Sequence, residues 1–181
     1  MAKTKTDEKQ PWLREEYIYA STPLVSGDVG EVRMFESSIG HPIPRLLTSL
    51  PLVASLPAHM NKSSEATTNI REGSKLGMSW GDGLILGFMA ALNGVAIRQE
   101  WRVKQALAAV LFVGGDRVWS LPVHMGMNEE GQAREFFRTQ PIKIKRIDNI
   151  YVDVIARSPL EILGKDPLLL TCIFHVGLRE E

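Results

Sequence analysis

Polar and apolar residues alternate over residues 29–35, with Val29, Glu31, Arg33 and Phe35 on one side and Gly30, Val32 and Met34 on the other. Successive side chains of an extended chain point to opposite faces, so this stretch predicts a half-buried strand. The period then lengthens. Leu84, Ile85, Phe88, Met89, Leu92 and Ala96 recur at three- and four-residue steps, which predicts an apolar helix over residues 81–98. Ser79 or Asp82 would cap it, because a side-chain oxygen there accepts from the free N–H groups of the first turn. From Trp101 the alternation returns, one-sided at first and apolar on both sides by Val113, as a central strand would be. Gly114, Gly115 and Asp116 predict a tight turn, and residues 117–123 the returning strand of a hairpin. A second hairpin is expected around Asp148 and Asn149, with Ile142, Ile144 and Ile147 before it and Ile150, Val152 and Val154 after it. Lys143 and Lys145 fall on the face opposite Ile142 and Ile144 and should be exposed. Residues 168–178 form a closing apolar strand.

Between the first strand and the helix the pattern is irregular. Pro42, Pro44, Pro51 and Pro57 bracket a run of aliphatics that includes Leu46, Leu47, Leu50 and Leu52. Pro51 argues against one continuous helix and against a central strand. Two short helices fit, and so does an apolar loop held partly exposed as a contact site. Residues 61–75 are polar and read as a surface loop or a frayed helix, the most flexible stretch inside the domain. Residues 1–11 have little to bury and should be a disordered tail. Trp12 and Leu13 are the first anchor, either capping the edge of a core or docking a partner. The predicted organisation is the tail 1–11 followed by one domain over 12–181. Its fold class is α+β, a twisted antiparallel β-sheet with helices packed on one face.

Composition narrows the functional classes. With 44% apolar and 23% charged residues, the 181-residue chain can build a globular core. Its 21 basic and 21 acidic residues cancel, so attraction to an anionic partner must come from a local patch. One is present. Arg134, Arg138, Lys143, Lys145 and Arg146 face only Glu135 over residues 134–147, and an acidic stretch follows. The single cysteine, Cys172, rules out an intramolecular disulfide, and its apolar neighbours predict a buried, inert thiol. The first ten residues lack the apolar core of a secretory signal, and residue 2 is Ala2 rather than the glycine of a myristoylation site. The most apolar helical stretch, residues 84–97, is shorter than the ~20 residues that span a bilayer. The expectation is a protein that is not integral to the membrane.

Catalytic templates are missing. There is no Gly-x-x-x-x-Gly-Lys-Ser/Thr cradle for a nucleotide phosphate and no Gly-x-Ser-x-Gly elbow. His41, His59, His124 and His175 are scattered without metal-ligand spacing. At strand spacing Cys172 and His175 point to opposite faces and cannot form a dyad. The reading is of a protein that is not an enzyme, without cofactor, metal or small-molecule substrate.

Three short runs carry a resemblance. Leu121-Pro122-Val123-His124-Met125-Gly126, then Phe136-Phe137-Arg138, then Pro141-Ile142-Lys143-Ile144, followed by Pro159, are similar in kind and order to the central region of rhabdovirus matrix proteins. The short matrix proteins of plant-infecting members are nearest in length. The likeness spans residues 80–162 loosely and 121–150 more closely. It implies a compact sheet-and-helix domain that self-associates, condenses the viral nucleocapsid (nucleoprotein–RNA), and meets the anionic inner membrane face or the viral glycoprotein tail during assembly and budding. The matching compartments are the virion interior beneath the envelope, the host cytoplasm and inner membrane face, with the nucleus open. Pro-Pro-x-Tyr and Pro-Thr/Ser-Ala-Pro budding motifs are absent. On this reading Lys143, Lys145, Arg146 and Arg138 contact phosphate groups of lipid or ribonucleoprotein, while Trp12, Leu13, Leu46, Leu47, Leu50 and Leu52 serve self-association or membrane contact. The alternative is a structural assembly subunit of another virus or phage without a membrane role.

Overall fold

A computed structural model describes residues 13–48, 61–71, 82–93, 101–145, 148–162 and 167–179. Along them run the strands β1 (Leu13–Leu24), β2 (Asp28–Met34), β3 (Leu47–Thr48) and β4 (Gly83–Asn93), then the helix α1 (Trp101–Ala106). The strands β5 (Leu107–Val113) and β6 (Asp116–Pro122), a 3₁₀ turn (Val123–Gly126), and the strands β7 (Phe136–Ile144), β8 (Ile150–Ala156) and β9 (Leu168–Arg179) complete the order. Every strand pairing is antiparallel. One sheet has the order β1-β9-β4-β7 and the other β3-β2-β8-β5-β6.

The two sheets form a sandwich because each turns one apolar row inward. Ile18, Ile85, Phe88, Leu170, Phe174 and Val176 of the first sheet share a single core with Val32, Met34, Leu111, Val152 and Val154 of the second. Rings lock the layers together, with Phe174 4.9 Å from Phe35 and Phe88 5.1 Å from Trp119. Deep rows of this kind supply most of the stabilisation, at roughly 25 cal/mol per Å² of apolar surface removed from water.

The α+β expectation is overturned. Residues 83–93 are not a helix packed on a sheet but a central strand, paired with β9 on one side and β7 on the other. The short α1 is the only α-helix among the described residues, and it lies in what was expected to be strand. The Asp148 turn is also not a hairpin. Asp148 takes the N–H of Lys145 on Oδ2 at 2.9 Å, but β7 then belongs to one sheet and β8 to the other, so the turn crosses between layers. Other expectations hold. β2, the β5–β6 hairpin and β9 lie where alternation placed them, and Gly114 and Gly115 carry the positive φ values of 62° and 92° that the tight hairpin requires.

Phe35 departs from the predicted alternation. It has φ 74° and is 2% exposed, so the chain turns out of β2 and drives Met34 and Phe35 successively into the core. The left-handed backbone costs about 1–2 kcal/mol, offset by burial of the ring. Residues 61–71 are a loop, as expected, but a pinned one. Ala20 bridges Thr68, Tyr19 N–H donates to Asn69 Oδ1 at 3.0 Å, and Asn69 Nδ2 donates to Tyr17 O at 2.8 Å. The loop thereby closes much of the outer edge of β1. The tail 1–11 and residues 72–75 lie outside the described residues.

Candidate functional site

The residues expected to meet a partner are scattered by the fold. Lys143 is exposed on β7, and Lys145 is exposed one residue beyond that strand. Arg146, Trp12, Leu50 and Leu52 lie outside the described residues. Arg138 sits in β7, Leu47 in β3 and Leu13 at the start of β1. Leu46 must be withdrawn. It is 4% exposed and belongs to the common core, so it has no surface to offer a partner. The described part of the proline-bracketed run, residues 42–48, contains β3 and no helix.

The outward face of the five-stranded sheet is closed upon itself. Arg33 donates from Nε and Nη2 to the two carboxylate oxygens of the buried Asp153, at 2.9 and 3.2 Å. Its guanidinium lies 3.8 Å over the ring of Tyr151, which stacks at 4.9 Å on Phe112. The bond to Asp153 raises the Arg33 pKa still further above its ordinary value. A bidentate, stacked arginine of this kind is committed to its own sheet.

The outward face of the four-stranded sheet is different. Here His175 is held between two carboxylates, with Nδ1 2.5 Å from Glu135 Oε1 and Nε2 3.2 Å from Glu15 Oε2. Tyr17 stacks on the ring at 4.8 Å and is itself 53% exposed. Glu135 reaches the histidine because β4 carries glycine beneath it. A Cβ built on Gly87 would lie 2.3 Å from Glu135 Oε1 and 2.8 Å from its Cγ. Around the cluster, Tyr19, Leu84, Met89, Ala91, Leu169 and Ile173 are half-buried and point away from the core. The face therefore combines apolar side chains with carboxylates and a histidine, and the Tyr19 hydroxyl donates to Glu65 O of the 61–71 loop.

Its flanking edges are protected. Residues 68–69 cover part of the outer edge of β1, while β7 carries Pro141, which has no N–H to offer, beside the exposed Lys143. Lysine and proline on an edge strand discourage further strand addition.

Sequence reasoning missed the His175 cluster. The outward direction of His175 on β9 was readable, but Glu135 and Glu15 come from 40 and 160 residues away. Among the described residues no group of three or more histidines, cysteines or carboxylates is arranged to hold a metal ion. The cluster itself cannot, since its two carboxylates sit on opposite sides of the imidazole. Cys172 is fully buried in the core, on the other side of β9 from His175, and burial pushes its thiol up to about 12. A shallow depression of about 360 Å³, open to solvent, is lined by Arg33, Glu36, Ser37, Ser38, His41, Pro42 and Pro44. Its Ser38 Oγ to His41 Nδ1 contact of 2.9 Å closes a local turn, and among the described residues no carboxylate orients that histidine. No described helix is long and apolar enough to cross a membrane. No family model matches the chain, and neither a curated protein nor a solved structure matches it.

Proposed function

We propose that the protein is a non-enzymatic assembly subunit that adheres to copies of itself and to a ribonucleoprotein, in the manner of a rhabdovirus matrix protein. The observation that carries this reading is the outward face of the four-stranded sheet, where Tyr17, Leu84, Met89 and Ile173 surround the His175 cluster and lie outside the core. The resemblance over residues 121–150 supplies the viral setting. Lys143, Lys145, Arg146 and Arg138 are the bases that the resemblance assigns to phosphate contact, on lipid heads or on nucleoprotein–RNA, an attraction that weakens as salt rises.

Light scattering on the full chain over a wide concentration range tests self-association, and flotation with vesicles containing anionic lipid tests the membrane role. Mass rising with concentration supports the first part, and a monomer throughout overturns it. Flotation that falls on Lys145→Glu/Arg146→Glu supports the second, and unchanged flotation removes the basic contact.

One observation favours a second reading, a structural subunit of another virus without a membrane role. The resemblance implies a sheet covered by helices, and residues 83–93 are strand. Self-association without any affinity for vesicles or ribonucleoprotein would decide for it.

A further inference from the structure

We infer that the outward face of the four-stranded sheet binds a second copy of this chain, face to face, about a two-fold axis parallel to the strands. The inference rests on the self-association reading and gives it a surface and a symmetry.

The strand registers place Glu15, Gly177, Leu84 and Lys143 in one row across β1, β9, β4 and β7. Their neighbours Ile85, Ile144, Val176 and Leu178 are buried in the core, so this row points outward. Turning a copy about an axis along the strands keeps the strand direction and reverses the order of strands from left to right. β1 then lies over β7, and β9 over β4. Glu15 meets Lys143 of the second copy, and by symmetry Lys143 meets its Glu15. Between them Leu84 lies over Gly177, a side chain over a position that has none. Further along, Ile173 meets Met89 and Thr171 meets Ala91. A self-complementary patch of this sort is what an isologous dimer requires.

The alternative in-plane axis, across the strands, lays β1 over β1 and β7 over β7, so the opposite charges never meet. The strand-parallel axis also matches how sheets stack, about 10 Å apart with directions within about 30°. Four strands about 4.8 Å apart, each contributing about ten residues of 3.4 Å, cover roughly 650 Å². That falls within the ~600–1,000 Å² per partner of stable interfaces. Both charges are available. Lys143 makes no ion pair among the described residues, and the Glu15 side chain is 66% exposed and engages His175 through Oε2 alone.

Sedimentation of the full chain tests the geometry, with circular dichroism on each variant to check the fold. Lys143→Glu and Glu15→Lys should each weaken dimerisation by about tenfold, and Glu15→Lys/Lys143→Glu together should restore most of it. Arg117→Glu, exposed on β6 of the other sheet, should leave it unchanged. Leu84→Ser, which empties the contact over Gly177 without touching a charge, should also weaken it. If the wild type associates but the charge variants and Leu84→Ser do not alter it, the face is wrong and self-association stands. If the wild type is monomeric at every concentration, both fall.

Discussion

Asp28 is 1% exposed at the turn from β1 to β2, where its Oδ2 accepts the N–H of Val25 at 2.8 Å and its Oδ1 has no partner among the described residues. Burial raises its pKa, against the lowering effects of the Val25 bond and of Arg45. The neutral acid is thus favoured by folding. Its contribution to stability is full below the unfolded value of about 3.9 and is lost as the pH rises through the higher folded value. Asp28→Asn removes the buried charge and keeps an acceptor for Val25. The variant should be more stable than wild type at pH 7, and the difference should shrink towards pH 3. Urea denaturation at several pH values checks this, and a difference independent of pH would contradict it. The sequence shows an aspartate before a strand. It does not show that the fold buries that carboxylate where β2 meets β3, which pairs with Asp28 and Val29. Exposure on a simple alternating strand was easier to read. Lys143 is outward because Ile142 packs against the core and Ile144 lies within it.

β4 explains how a strand came to read as a helix. Its inward residues are Ile85, Phe88, Ala90 and Leu92, and a register shift between Ile85 and Gly87 inserts the extra step between the first two. A bulge adds one residue to a period of two and so produces a helical spacing of three. Both faces of β4 are apolar besides, because it lies inside its sheet, and one-sided alternation is lost. The bulge also sets the site, since it presents Gly87 under Glu135. Gly87→Ala should fold with Glu135 displaced from His175, at a cost of about 1–3 kcal/mol. The double variant Gly87→Ala/Glu135→Ala should cost less than the two single changes together, by more than ~0.5 kcal/mol. Strictly additive losses in a double-mutant cycle would mean that the two positions do not share this contact. The reverse misreading befell α1, where six residues with Val103 and Lys104 buried and Arg102 and Gln105 exposed pass into β5 without a turn residue between them. The Lys104 ammonium donates to Glu129 O at 2.7 Å, and burial lowers its pKa, so a residue that reads as a solvated strand position anchors the loop after the 3₁₀ turn.

Across the whole molecule, local pattern located the β5–β6 hairpin and the closing strand, but not the assignment of strands to layers. β7 and β8 are neighbours in sequence and members of different sheets, and β1 and β9 join the two ends of the described chain. Those pairings are decided by which apolar rows can be buried together, a property of the assembled sandwich rather than of any window along the chain. β9 lies between β1 and β4 and carries Cys172 on its inward side, fully buried and with its thiol pushed up to about 12. Since the chain has no other cysteine, this atom is a reporter already in place. A maleimide should leave the native protein unlabelled and mark it only as the layers part, with the rate rising in step with the loss of circular dichroism in urea. Labelling of the folded protein as fast as a free thiol would mean that the sandwich opens without unfolding. Otherwise, slower labelling at higher protein concentration would read out, from the middle of one sheet, how far association of the outer face steadies the layer beneath it.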